Sequence, residues 1–223
     1  MSTTCASMEK TPTMGRADGK MKGKHLVFLG SSVTYGSASG GVSFADFIAE
    51  KNGCIITKEA VSGTTLVDEG TDSYISRLKK LDKSVPADLF ICQLSTNDAT
   101  QGKPLGRISD SEVYDTKTVA GAIEYIIAYV KRVWGCPVVF YTNPRYESME
   151  YGKMVSLLLD IAEKQEATVI DMWNDTAFNA LTEAQRHHYM ADAIHPTREG
   201  YLEWWTPYME ETLAECVGGT YES

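Results

Sequence analysis

Four times along this chain a short run rich in apolar and β-branched residues stops at a cluster of small polar ones. His25-Leu-Val-Phe-Leu29 stops at Gly30-Ser31-Ser32, and Cys54-Ile-Ile-Thr-Lys-Glu-Ala-Val61 at Ser62-Gly63-Thr64-Thr65. Ala87-Asp-Leu-Phe-Ile-Cys-Gln-Leu94 stops at Ser95-Thr96-Asn97-Asp98, and Pro137-Val-Val-Phe-Tyr-Thr142 at Asn143-Pro144-Arg145. Runs of this length and composition read as strands rather than helices. A fifth, Ala167-Thr-Val-Ile-Asp-Met172, follows later.

Between the runs the apolar period changes to that of a helix. Phe44, Phe47 and Ile48 share one face of 43–51, with Ser43 as N-cap and Asn52-Gly53 as stop. Tyr74, Ile75, Leu78 and Leu81 line one side of 71–81, which Pro86 follows. Val119, Ile123, Ile126, Ile127 and Val130 mark the longest helix, within 115–134 and closed by Gly135. Further helices are predicted over 150–165 and 197–216, the last carrying Trp204, Trp205, Tyr208 and Leu213. Residues 99–112, with Gly102, Pro104 and Gly106, read as a polar loop, and 174–194 as irregular with one short helix. Alternating strands and helices call for an α/β fold, a parallel sheet covered on both faces. With right-handed crossovers the simplest solution is a five-stranded, doubly wound sheet.

Composition narrows the partners. A net charge of −9 argues against nucleic acid or an anionic membrane surface, both of which require clustered positive charge. The first 22 residues hold no apolar stretch of the length a signal peptide needs, and nothing later reaches the length of a membrane span. The five cysteines are scattered without metal-ligand spacing, which suits a reducing compartment, so the chain is expected in the cytoplasm. Cys54 and Cys92 read as small buried hydrophobes. Residues 1–22 read as a mobile polar tail and 23–218 as a single domain.

In a doubly wound sheet the loops after the first three strands converge on one edge. There they bring a serine hydroxyl, backbone N–H donors and a side-chain amide, the means to attack a carbonyl and hold the resulting oxyanion. A serine hydroxyl is a weak nucleophile without a base. Asp192-Ala-Ile-His195 supplies one, since a tight turn lets the carboxylate hold one ring nitrogen while the other faces the serine. The same polar turns would also suit a flavodoxin-like binding module, with residues 30–41 wrapping a phosphate. That alternative gives Asp192 and His195 no work.

These motifs resemble those of the SGNH-hydrolase superfamily, the GDSL-type esterases and lipases. Gly30-Ser31-Ser32, Gly63, Ser95-Thr96-Asn97-Asp98 and Asp192-Ala-Ile-His195 stand in the order of that family's four blocks. The resemblance implies a three-layer α/β/α sandwich, with Ser32 as nucleophile, His195 as base and Asp192 orienting it. It further implies an oxyanion hole made by the N–H groups of Ser32 and Gly63 and the amide of Asn97. No metal or cofactor is expected, and the substrate is a small ester with an acetyl-sized acyl group, an acetylated oligosaccharide being the best fit. A lysophospholipase or thioesterase is the alternative within the same chemistry. A catalytically silent protein of the same fold is a further alternative, motivated by two departures. Ser31 replaces the family's Asp, removing a carboxylate that braces the turn, and Ser95 replaces a Gly, a change expected to narrow the pocket. Asp98 is expected to brace its loop, His187 and His188 to lie on the surface, Arg145 to be a solvated loop residue, and His25 to be structural.

Overall fold

The computed structural model describes residues 19–218. Five parallel strands, β1 (His25–Gly30), β2 (Ile55–Ala60), β3 (Leu89–Gln93), β4 (Val138–Tyr141) and β5 (Thr168–Ile170), form one sheet in the order β2-β1-β3-β4-β5. The expected doubly wound α/β fold is therefore present, with its topological switch point between β1 and β3. Side chains alternate across the sheet, so β1, β3 and β4 each feed two cores. Val27, Leu29, Phe90, Cys92, Val138 and Phe140 face α3 (Tyr74–Lys80), α5 (Val119–Trp134) and α6 (Met149–Gln165). Leu26, Phe28, Leu89, Ile91, Val139 and Tyr141 face α2 (Phe44–Asn52) and α8 (Thr206–Gly218). These two cores make the three layers.

The local signals explain the boundaries. Ser43 and Asp46 form a reciprocal capping box at the start of α2, and Gly53 closes it at φ 64°. Gly135, at φ 63°, closes α5. β2 is an edge strand, with Ile55 60% exposed, which accounts for the Lys58 and Glu59 that break its apolar pattern. The closing helix departs from expectation, because Gly200–Trp205 winds as a π-helix before α8 begins. Gly200 lets the Tyr189 carbonyl pack against the start of this segment, since a Cβ there would stand 2.0 Å from its oxygen.

The polar tail expected over 1–22 lies outside the described residues as far as position 18. Beyond it Met21 is fully buried in the core beneath α2 and α8, and the Gly23 N–H donates to the Gly53 carbonyl at 2.9 Å. Cys54 and Cys92 are buried as expected, and burial pushes both thiols up. His25 is structural, bridging the Pro86 carbonyl at 2.6 Å and the Thr57 hydroxyl at 2.9 Å. Trp205 is wholly buried while Trp204, stacked on Phe178 at 4.5 Å, covers it. Among the described residues no helix is long and apolar enough to cross a membrane.

Candidate active site

The turn after β1 is shaped by a close approach. Ser31 leads into α1 (Ser32–Tyr35), a single turn ended by Gly36 at φ 86°. Four residues are too few to show a helical period, which is why periodicity does not reveal α1. Thr34 folds back over Gly30, where a Cβ would stand 1.7 Å from the Thr34 Oγ1. The Thr34 hydroxyl donates to Gln93 Oε1 at 2.8 Å, so the Tyr141 hydroxyl, 2.6 Å away, donates to it in turn. Gln93 Oε1 also accepts from the Ser31 N–H at 2.9 Å, the Ser31 hydroxyl at 3.3 Å and the Thr34 N–H at 3.3 Å. A neutral amide oxygen on β3 thus braces the turn that lacks the family's carboxylate at position 31.

Ser32, His195 and Asp192 meet. Ser32 is 7% exposed, and its Oγ lies 2.8 Å from His195 Nε2. His195 Nδ1 lies 2.8 Å from Asp192 Oδ2 and 3.0 Å from Oδ1. A carboxylate only accepts, so Nδ1 carries the proton and Nε2 turns its lone pair to the serine hydroxyl. Asp192 Oδ1 also accepts from the Ile194 N–H at 2.7 Å and the His195 N–H at 2.8 Å. Burial pushes the Asp192 carboxyl up, but these hydrogen bonds outweigh it and hold the group below the usual range.

The loop that carries the histidine is pinned from several sides. Its ends are pinched where Ala191 N–H donates to the His195 carbonyl at 2.9 Å, next to a bridge between Met190 and Pro196. Asn143, fully buried at the end of β4, donates from Nδ2 to the Ile194 carbonyl at 3.0 Å. The Asn143 N–H donates to the Tyr151 hydroxyl at 2.9 Å, and that hydroxyl donates to the Leu94 carbonyl at 3.0 Å. From the π-helix the Tyr201 hydroxyl donates to the Val33 carbonyl at 2.7 Å, tying the segment after the histidine to the turn of α1.

Gly63 and Asn97, the other two expected site residues, lie in the loops after β2 and β3. Gly63 has φ 81°, and a Cβ there would meet nothing within 4 Å. The N–H groups of Ser32 and Gly63 donate to no partner among the described residues. Asn97, in the short α4 (Thr96–Thr100), donates from Nδ2 to the Thr64 carbonyl at 2.9 Å, leaving its second amide hydrogen free of that bond. Ser95 departs from expectation, being fully buried rather than facing a pocket. Its hydroxyl donates to the same Thr64 carbonyl at 3.2 Å and accepts from the Asn97 N–H at 3.2 Å. Asp98 braces the loop as expected, accepting from the N–H groups of Leu66 at 2.8 Å and Val67 at 3.0 Å. Burial pushes its carboxyl up in spite of those bonds.

His187 and His188 are exposed on α7 (Glu183–Tyr189), and Arg145 is an exposed loop residue lying over the Trp173 ring. Sequence reasoning missed Gln93 and Asn143, which read as a strand residue and a turn residue. The chain Asp192–His195–Ser32 can take a proton from the hydroxyl as its oxygen attacks an electrophile.

A family model described as GDSL-like Lipase/Acylhydrolase matches residues 28–202. No curated protein matches the chain. Among solved structures, a protein from Lactobacillus plantarum aligns with a TM-score of 0.74 at 18% identity, covering 87% of this chain and 98% of that one. A GDSL-like protein from Bacteroides ovatus aligns with a TM-score of 0.63 at 17% identity, covering 86% of this chain and 98% of that one. A variant of an acetyl-xylooligosaccharide esterase from Geobacillus Stearmophilus aligns with a TM-score of 0.61 at 16% identity, covering 91% of this chain and 98% of that one. The match runs from β1 into the π-helix and takes in every loop of the site, and on that basis the chain belongs to the GDSL-like lipase/acylhydrolase family of hydrolases.

Proposed function

We propose that this hydrolase is a serine esterase that removes short acyl groups, acetyl above all, through an acyl-enzyme. The observation that carries the reading is the unbroken hydrogen-bonded series from Asp192 through His195 to the Ser32 hydroxyl, with contacts of 2.8 Å on both sides of the ring. In this reading Ser32 Oγ attacks the ester carbonyl carbon while its proton passes to His195 Nε2. The carbonyl oxygen becomes an oxyanion, held by the N–H groups of Ser32 and Gly63 and by the Asn97 amide. As the ester C–O bond breaks, the imidazolium returns the proton to the departing alkoxide. Water, deprotonated by the same nitrogen, then cleaves the acyl-enzyme. Asp192 keeps the ring in the tautomer both steps need. This chemistry calls for no metal or cofactor.

The alcohol half of the substrate is read as a carbohydrate. A cavity of about 270 Å³ beside Gly63 has a polar lining that includes Thr64, Thr71, Gln101, Lys103 and the carboxylates of Glu69 and Asp72. Hydroxyl, amide and ammonium groups suit a polyhydroxylated alcohol better than an acyl tail. We assign the activity to one catalytic domain over residues 23–218, to which Met21 belongs by its packing. We place it in the cytoplasm, a reading supported by the unpaired state of Cys54, Cys92, Cys136 and Cys216.

Hydrolysis of p-nitrophenyl acetate, butyrate and octanoate by wild type, Ser32→Ala and His195→Ala tests the mechanism. Each substitution is expected to lower kcat on the order of 10³-fold or more. Undiminished hydrolysis by Ser32→Ala ends it, and a faster rate on octanoate than on acetate replaces the acetyl reading with the lysophospholipase or thioesterase one. Acetate release from a panel of acetylated oligosaccharides tests the alcohol half.

A further inference from the structure

The charge pattern of α3 suggests a solvated helix, yet its Arg77 is only 4% exposed. All five of its N–H donors are engaged. Nε donates to the Asp72 carbonyl at 2.9 Å, and Nη1 to the Glu59 carbonyl at 2.8 Å and Glu59 Oε1 at 3.3 Å. Nη2 donates to the Gly30 carbonyl at 2.8 Å and to Thr64 Oγ1 at 2.9 Å. The Tyr74 ring lies 5.1 Å from the guanidinium carbon.

The last pair matters most. Gly30 stands two residues before Ser32, and Thr64 stands one after Gly63. One nitrogen of one side chain therefore joins the turn of the nucleophile to the loop of the oxyanion glycine. The Thr64 hydroxyl is held in place to accept, because it donates its own hydrogen to the Val61 carbonyl at 2.7 Å. The Gly30 carbonyl receives a second, longer bond of 3.3 Å from the Val61 N–H. Among the described residues, the other hydrogen bonds between the two loops are that contact and those of the β1–β2 ladder beneath it. Two N–H donors act on one oxyanion only if their separation is fixed before the charge develops.

Building on the esterase reading, the geometry points to Arg77 as a positioning residue that sets the spacing between the Ser32 and Gly63 N–H groups. It touches neither substrate nor reacting atoms. A planar fork is needed for this, because a lysine ammonium is a point donor that cannot reproduce five fixed directions. Its loss should therefore be felt in the transition state and not in ground-state binding.

The test compares wild type with Arg77→Lys and Thr64→Val, each counted by fluorophosphonate titration of reactive sites. Arg77→Lys is expected to lower kcat per titrated site by roughly 10- to 100-fold, with KM changed by less than about 3-fold. Thr64→Val, which removes one arm only, is expected to give a smaller loss of the same kind. In an Arg77→Ala protein that folds, added guanidinium should restore part of kcat. A role confined to folding would reduce the number of titratable sites and leave kcat per site unchanged, and that result overturns the proposal. Amide hydrogen exchange read by NMR is the second arm, and it needs no turnover. Arg77→Lys should speed exchange over residues 30–33 and 61–65. Unchanged exchange there rejects the positioning role even if wild type proves to hydrolyse no ester, whereas absence of wild-type hydrolysis alone rejects the esterase reading.

Discussion

The side-chain oxygen of Gln93 accepts from the backbone N–H of Ser31 at 2.9 Å and so replaces, from a neighbouring strand, the brace that a carboxylate at position 31 would have given. Because that oxygen also serves the Ser31 hydroxyl and both polar groups of Thr34, Gln93→Leu would leave several buried donors without partners. Each orphaned group costs about 1–3 kcal/mol. Urea denaturation should show a loss of at least about 2 kcal/mol, with esterase activity falling in the protein that remains folded.

Two glycines of the site should respond to alanine for different reasons. At Gly30 the added Cβ meets Thr34 Oγ1 at 1.7 Å and Thr34 Cβ at 2.4 Å, so the backbone must move, a cost of about 3 kcal/mol or more. At Gly63 the Cβ finds open space, and only the φ of 81° resists it, a cost of about 1–2 kcal/mol. Thermal unfolding of Gly30→Ala and Gly63→Ala should rank them in that order, and the reverse order would contradict the close approach of Thr34.

Asn97→Ala removes one donor of the proposed oxyanion hole and also the bond to the Thr64 carbonyl. Steady-state kinetics on p-nitrophenyl acetate should show kcat reduced by roughly 10²-fold with little change in KM. A change confined to KM would place the amide in substrate binding instead.

Asp192 is held below the ordinary carboxylate range, so its contribution to stability is fully present above its unfolded value of about 3.9 and disappears as the pH falls through its lower folded value. Wild type should therefore be more stable than Asp192→Asn at pH 7, with the gap closing only under strongly acidic conditions. The gap will be small, because the side chain is 56% exposed. At pH 7 the same substitution should lower kcat by roughly 10²-fold or more, since the amide can present a donor to Nδ1 and favour the wrong tautomer.

The five strands and the meeting of Ser32, His195 and Asp192 were legible because they rest on signals that survive in one dimension. Apolar period names a strand, and the polar cluster at its end falls at the sheet edge by topology. What stayed hidden depends on cross-chain geometry. Gln93 looks like an ordinary strand residue until Ser31 and Thr34 close over it. Arg77 sits among lysines on α3, where the charge pattern suggests solvent, yet it is buried and donates to the carbonyls of Gly30, Glu59 and Asp72. Asn143 precedes a proline and reads as a turn, although its amide reaches 51 residues on to the Ile194 carbonyl. The π-helix that begins at Gly200 keeps an apolar pattern that does not set it apart from the α-helix after it.

The contact between Ser32 and His195 spans 163 positions, and the Tyr201–Val33 bond that supports it spans 168. A chain leaving the ribosome thus makes its serine turn long before it receives the base for it. Nascent chains, and chains clipped ahead of the histidine loop, would carry the serine without its partner, so hydrolysis would begin only once synthesis had passed that loop.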